Sequence, residues 1–254
     1  MTGTGVTVSL DGARALVTGG ANGIGAAIAG RFAQAGAAGV SIDLGSGGTL
    51  PANWHAINAD VRFEPEVEEA CRSARERLGG PFDLLVTAAG IVPPWSGIPE
   101  LDLDQWDNLF AINVRGVVAT LKHAVPLMSD GGAVVVIGSL NSWRGDGNIT
   151  GYVASKHAVL GIVRSAAINL GTRGIRVNAI GPGPIATDAL RERMSQRAQA
   201  GGPPLDQALA AAAAMTSLRR IATVEEVADT ALFLASGLSS GITGQLLAVD
   251  GGLP

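Results

Sequence analysis

Thr18-Gly19-Gly20-Ala21-Asn22-Gly23-Ile24-Gly25 follows the apolar run Ala13 to Thr18 and leads into a helical pattern. A glycine-rich turn between a strand and a helix lets backbone amides come close to a pyrophosphate, and the helix N-terminus adds partial positive charge. Gly19, Gly23 and Gly25, with Asn22 and Ile24 between them, suit that purpose. Their spacing is G-x-x-x-G-x-G rather than the commoner G-x-G-x-x-G, and a bare strand-to-helix turn would use the same glycines. Whether this is a dinucleotide loop is decided by what surrounds it.

Outward from the loop, short apolar runs alternate with longer helical patterns: Ala13 to Thr18, Gly39 to Leu44, Trp54 to Val61, Asp83 to Ala88, Ala133 to Ser139, Arg176 to Ile180 and Gln245 to Asp250. Continuous runs such as Ala-Val-Val-Val-Ile at 133–137 fit strands buried on both faces. With right-handed crossovers, the pattern predicts an α/β chain: a single-domain, Rossmann-like, doubly wound parallel sheet of about seven strands with helices on both faces. No composition break marks a linker, so one domain is expected over 1–254.

Ligands of such sheets gather at the carboxyl ends of the strands. Thr18 to Gly25 follows the first strand, Asp43 ends the second, Asp60 ends the third, Ala88 to Gly90 follows the fourth and Ser139 follows the fifth. The segment 184–218 breaks the alternation with a charged helical piece around Leu190 to Gln199, a Gly201-Gly202-Pro203-Pro204 turn and an alanine-rich helix. An insertion at a strand's carboxyl end predicts a substrate lid.

Composition excludes several classes. Hydrophobic residues make up 47% and charged residues 16% of the 254, and the 36 glycines follow no period, so disorder and collagen do not fit. A net charge of −4 with no Lys/Arg-dense run argues against nucleic-acid and membrane-surface partners and for a small-molecule substrate. The most apolar later stretch, Ala208 to Met215, falls far short of the roughly 20 residues a spanning helix requires. Residues Met1 to Leu10 show no secretory pattern, and the lone Cys71 has no intrachain partner, so a reducing cytoplasm is expected. His55, His123 and His157 are dispersed and predict no metal site.

Asp43 strengthens the dinucleotide reading. A carboxylate at the end of the second strand accepts hydrogen bonds from the adenosine ribose hydroxyls and repels a 2′-phosphate. No Arg or Lys occupies 20–24 or 44–48 to neutralise that phosphate, so NAD is expected over NADP. Asp60 and Val61 are candidates to flank the adenine. Tyr152 and Lys156, four residues apart on one helical face, lie thirteen positions beyond Ser139. An ammonium near a phenol favours its ionised form and makes the tyrosine a usable acid or base.

Taken in order, Thr18-Gly19-x-x-x-Gly23-x-Gly25, Ala88-Ala89-Gly90, Asn113, Ser139, Tyr152-x-x-x-Lys156, Pro182-Gly183 with Thr187, and the closing Gly244-Gln245 to Asp250-Gly251-Gly252 make the chain resemble the short-chain dehydrogenase/reductase family from about Leu10 to the C-terminus. That resemblance implies direct hydride transfer between a nicotinamide and a secondary alcohol or its ketone, with Tyr152 as general acid/base, Ser139 on the substrate oxygen, Lys156 on the nicotinamide ribose and Asn113 anchoring a water in a proton path. It places Ala89, Gly90, Pro182, Gly183, Ile185 and Thr187 beside the cofactor and implies a homotetramer. Position 87 departs from the family, with threonine where asparagine is usual, which bears on how the central sheet is tied together.

On the substrate side, Trp95 and Trp143 offer flat apolar area suited to a cyclic or aryl molecule, Asn141, Ser142 and Arg144 offer polar contacts, and Leu190, Met194 and Met215 offer a closing lid surface. Simple packing is the competing role for each tryptophan. Two other functions remain open: a 3-oxoacyl-thioester reductase, a task for which the family commonly uses NADP and which Asp43 opposes, and a non-catalytic dinucleotide-binding sensor, which the Asn113, Ser139, Tyr152 and Lys156 set opposes.

Overall fold

The computed structural model describes residues 8–45, 50–199 and 201–253. The apolar runs form β1 (Arg14–Thr18), β2 (Ala38–Asp43), β3 (Trp54–Asn58), β4 (Phe82–Thr87), β5 (Met128–Ile137), β6 (Arg176–Pro182) and β7 (Leu246–Val249). Every pairing is parallel, in the order β3-β2-β1-β4-β5-β6-β7. Parallel neighbours need a crossover across a face of the sheet, and here the strand order reverses between β1 and β4.

The crossovers carry α1 (Gly23–Gln34), α2 (Glu64–Leu78), α3 (Leu103–Phe110), α4 (Gly116–Ala124), α5 (Thr150–Leu170), α6 (Asp188–Gln199), α7 (Leu205–Met215) and α8 (Val224–Ala235). Because side chains alternate across a strand, Val134 and Val136 of β5 join one core with Val67, Cys71, Val117, Leu121, Val159 and Val163 of α2, α4 and α5. Ala133, Val135 and Ile137 join the other, with Ile28 and Phe32 of α1 and Val227 and Ala231 of α8. Each fully buried aliphatic or aromatic side chain contributes about 1.5–3 kcal/mol. The result is the doubly wound, Rossmann-like sheet that the continuous apolar runs predict.

Two strand boundaries differ from the sequence reading. β3 stops at Asn58, so Asp60 lies past the strand instead of ending it. The cause is local: Asp60 Oδ1 accepts from the Arg62 amide at 2.9 Å and the Phe63 amide donates to the Asp60 carbonyl at 3.0 Å, which turns the chain toward α2. β5 begins at Met128, five residues before the apolar run. Ser129 Oγ donates to Asp83 Oδ1 at 2.9 Å and Arg173 Nη2 donates to the Met128 carbonyl at 2.7 Å, which draws this polar, glycine-containing start alongside β4. Thr87 is buried, and its hydroxyl has no hydrogen-bond partner among the described residues. The hydroxyl that replaces the usual amide therefore ties nothing to the sheet.

α8 is set by a reciprocal cap: the Glu226 amide donates to Thr223 Oγ1 at 3.3 Å and the Thr223 amide donates to Glu226 Oε2 at 2.9 Å. The Arg220 guanidinium, then the Thr223 amide, hold the Glu226 carboxyl down at about 2, against an ordinary value of 4.5. A depressed folded-state value stabilises the fold above the unfolded-state value and loses that contribution as pH falls toward 2. Glu226→Gln is expected to lower the melting temperature by about 2 °C at neutral pH, a modest shift because the pair is largely exposed. Thermal melts of both proteins should show that gap closing between pH 4.5 and 2; a gap independent of pH would rule out the charge as its source.

Candidate functional site

Each glycine of the loop after β1 has a separate reason to lack a side chain. A Cβ on Gly19, which has φ +72°, would stand 2.5 Å from the Ala89 nitrogen, and one on Gly25 would overlap the Gly19 carbonyl oxygen. Both positions are therefore required by how the loop packs on itself and on the end of β4. Gly23, φ +55°, is different: a Cβ there would meet nothing nearer than Thr187 Cγ2 at 3.9 Å. This leaves open space between the loop and Thr187, over the start of α1. The N-terminus of α1 has no side-chain cap from Asn22 and no acidic residue in its first turn, so its amides face that space with their partial charge unopposed.

Asp43, at the end of β2, lies against the same loop. Its Oδ2 accepts from the Ala21 amide at 3.0 Å and its Oδ1 from the Leu44 amide at 2.7 Å. The carboxylate thus shapes the turn, and its remaining lone pairs are available to hydroxyl donors. A space lined by bare amides, with an acceptor-only carboxylate at one end, fits a nicotinamide dinucleotide.

Asp60 is more heavily engaged. Arg62 donates to it through Nε at 2.8 Å and Nη2 at 2.6 Å, and this guanidinium, against the opposing effect of burial, keeps its carboxyl below the ordinary value. Val61 is buried and packs where a Gly116 Cβ would stand, 2.8 Å from its Cγ2. Pro182 ends β6, and the Gly183 amide donates to the Val249 carbonyl at 3.0 Å. Ile185 differs from the residues around it: its side chain is in the core and its backbone bridges Ala222, so only its main chain is left for a ligand. Thr187 accepts from the Leu190 amide at 3.2 Å and so caps the start of α6 while facing Gly23.

Two of the expected residues, Asn113 and Lys156, meet beside Gly90. Asn113 is buried in a π-helical turn, Ala111–Arg115, between α3 and α4. Its Oδ1 accepts from the Ile91 amide at 2.8 Å, while its Nδ2 donates to the Ile91 carbonyl at 2.9 Å and to Ser155 Oγ at 3.3 Å. This amide clamps the chain leaving β4, and a wide turn is where a helix absorbs a residue that competes for backbone bonds. A Cβ on Gly90 would stand 3.2 Å from Asn113 Oδ1 and 3.8 Å from Lys156 Nζ.

Lys156 is buried, and its Nζ donates to the Ile137 carbonyl at 2.9 Å. Burial pulls the ammonium down to about 8. It lies 5.7 Å from the centre of the Tyr152 ring. The expectation that this ammonium sets the phenol's acidity needs correction: burial dominates and holds Tyr152 above its ordinary value, and the groups that oppose it are the Ser139 hydroxyl and the Arg193 charge. Ser139 caps the turn after β5, its Oγ accepting from the Asn141 amide at 3.1 Å, while its own amide donates to Ser142 Oγ at 3.2 Å.

The substrate-side residues divide. Trp95 lies under α6, with the Arg193 and Arg197 guanidiniums 5.8 and 3.9 Å from its ring centre. Trp143 is 43% exposed and lies along Gly181, where a Cβ would come within 2.8 Å of its ring. Asn141 is buried, with its Nδ2 lacking a partner among the described residues; Leu190 and Met194 are half-buried on α6; Met215 is exposed, outside any closed surface. His157 points outward, as adjacency to Lys156 on a helix requires. Among the described residues, no group of three or more His, Cys, Asp or Glu is placed to hold a metal, and no helix is long and apolar enough to cross a membrane.

Sequence reasoning missed two contributors. Ser155, fully buried, donates to the Tyr152 carbonyl at 2.8 Å and accepts from Asn113, which links two of the expected residues. Its position between Tyr152 and Lys156 was the available signal. In sequence Arg193 is one charge among several in the helical piece around Leu190 to Gln199, although its spacing of four from Arg197 marks a shared face.

A family model described as enoyl-(acyl carrier protein) reductase matches residues 19–254. Short-chain dehydrogenase reductase 3c of Arabidopsis thaliana is 37% identical over 255 residues, covering 96% of this chain and 95% of that protein. The cis-4-hydroxycyclohexanecarboxylate dehydrogenase of Sinomonas cyclohexanicum is also 37% identical, over 250 residues, covering 94% and 95%. Among solved structures, levodione reductase superposes with a TM-score of 0.89 at 31% identity, covering 95% of this chain and 97% of that one. A blue fluorescent protein from a metagenomic library, in complex with NADPH, gives 0.83 at 35%, covering 96% and 99%. With a model spanning nearly its whole length and relatives this similar, the chain belongs to the short-chain dehydrogenase/reductase family of oxidoreductases, which binds nicotinamide dinucleotides.

Proposed function

We propose that the protein is an NAD(H)-dependent dehydrogenase of an apolar cyclic or aryl secondary alcohol, working reversibly on the corresponding ketone. The observation that carries this reading is the meeting of Ser139 and Lys156 at one half-buried phenol, Tyr152. Gly19, Asn22, Gly23, Ile24, Gly25, Asp43, Asp60, Val61, Ala89, Gly90 and the Pro182 to Thr187 segment would hold the dinucleotide, with Asp43 favouring NAD. A bound nicotinamide would supply the acceptor or donor for the hydride exchanged at the carbinol carbon, and its oxidised form would bring a positive charge to the site.

Tyr152 takes the alcohol proton during oxidation and gives it back during reduction. Ser139 donates to the substrate oxygen as negative charge builds on it, which orients the reacting carbon. Lys156, 5.7 Å from the phenol ring, would hold the nicotinamide ribose, and Asn113 clamps the Ile91 backbone. The 184–218 segment, with α6 and α7, acts as a lid of the single 1–254 domain, and Trp95, Asn141, Trp143, Leu190 and Met194 border the substrate. The relatives named for a hydroxycyclohexanecarboxylate and for levodione support a ring-bearing substrate.

The protein is also taken to be cytoplasmic and a homotetramer, the latter supported by apolar residues left outside on α4 and α5, Val118 at 45% and Ile168 at 84% exposed. The test of the activity is NADH formation from NAD with a panel of cyclic secondary alcohols, run in parallel with NADP. Turnover is expected with NAD and at least one cyclic alcohol. Cofactor binding with no turnover on any alcohol or ketone would place the protein among non-catalytic dinucleotide sensors.

A further inference from the structure

Arg193 is a half-buried cation with no ion-pair partner among the described residues. On the half-buried face of α6, its Nε is shielded from solvent and has no hydrogen-bond partner among the described residues. Neither Arg193 nor Arg197 forms an ion pair with another described residue. Both lie over the single Trp95 ring, at 5.8 and 3.9 Å from its centre. A π face offsets part of the cost of bringing two like charges together, but it supplies no acceptor for a buried N–H donor.

The position is informative. Trp95 precedes Ser96, whose backbone bridges Ile149 and whose amide donates to the Asn148 carbonyl at 2.8 Å, directly ahead of the helix that carries Tyr152, so an anion held by Arg193 over Trp95 would belong to the same small molecule whose oxygen meets Tyr152 and Ser139. No described carboxylate, Asp146 included, forms an ion pair with Arg193. With Nε shielded, the guanidinium still presents its two terminal N–H groups side by side at its end, a spacing that matches the two oxygens of a carboxylate. One half-buried guanidinium beside an indole suits a monoanion on an apolar ring better than a phosphate dianion, which calls for several donors.

We propose that the substrate carries a carboxylate and that Arg193 binds it, with Arg197 adding positive potential at the rim; this rests on the alcohol-to-ketone reading above. The test is calorimetric titration of the enzyme, with and without NADH, using cyclohexanecarboxylate, cyclohexanecarboxamide and cyclohexyl phosphate. The acid is expected to bind at least about tenfold more tightly than the amide in wild type. That ratio should fall to about one in Arg193→Gln and recover in part in Arg193→Lys, which keeps the charge and loses the fork.

Equal binding of acid and amide, an acid preference that survives Arg193→Gln, or tighter binding of cyclohexyl phosphate than of the acid would each overturn the assignment. NADH binding is recorded in the same series without ring compounds. Its absence would count against the dehydrogenase reading alone, since the acid-to-amide ratio is still read from the cofactor-free titrations. Circular dichroism of Arg193→Gln separates a lost contact from a lost fold.

Discussion

Tyr152→Phe is expected to lower kcat for alcohol oxidation on the order of 10³-fold, about 4 kcal/mol of transition-state stabilisation, while leaving NADH binding within about twofold. The substitution removes one oxygen from a half-buried side chain and keeps the ring near Lys156, so the neighbouring packing has little cause to change. Its signature should also appear in the pH profile. Burial holds the phenol above its ordinary value, so the wild-type oxidation rate rises with pH as the phenol ionises, and the residual rate of the variant lacks that limb. Steady-state kinetics together with NADH fluorescence titration check both statements. A variant with wild-type kcat would remove Tyr152 from the chemistry.

The second large effect is expected at the cofactor. Asp43 offers charge-assisted acceptors to ribose hydroxyls, worth about 1.5–3 kcal/mol, and opposes a 2′-phosphate through like-charge repulsion of similar or larger size. Asp43→Ser combined with Leu44→Arg removes the carboxylate and supplies a cation from a side chain that is already 63% exposed. The ratio of kcat/KM for NAD over NADP is expected to shift toward NADP by about 10²–10⁴-fold. Wild type working better with NADPH than with NADH would refute the role given to Asp43. The Asp43 contacts to Ala21 and Leu44 predict an accompanying cost, a looser turn and a lower melting temperature.

Most of the sheet was legible because burial on both faces leaves an unmistakable mark, as in Val134 to Val136. Where polar side chains decide, it was not. Nothing in the composition of Ser129 to Gly132 announces a strand, since the bonds that draw it to β4 come from Asp83 and Arg173, both remote in sequence. Likewise, Asp60 turns the chain through Arg62, which shortens β3.

At the site, order and spacing brought Asn113, Ser139, Tyr152 and Lys156 to attention, and the fold brings them together. The sign of the Tyr152 shift was out of reach, because it depends on how deeply the phenol is enclosed, a property of the folded whole. Arg193 was hidden for the same reason. A charge on a helix reads as solvated until the ring of Trp95 is found beneath it.

The all-parallel sheet also governs how the chain reaches this state. No two neighbouring strands can zip together from a hairpin; β1, for instance, aligns Thr18 with Thr87 of β4 only after the intervening crossover is in place. Loop-closure entropy is therefore spent before most of the sheet gains any stabilisation, which makes refolding slow and leaves apolar strands exposed in the meantime. Dilution from denaturant at high protein concentration should then favour aggregation, and a ribosome must release the chain through Thr87 before β1 and β4 can pair.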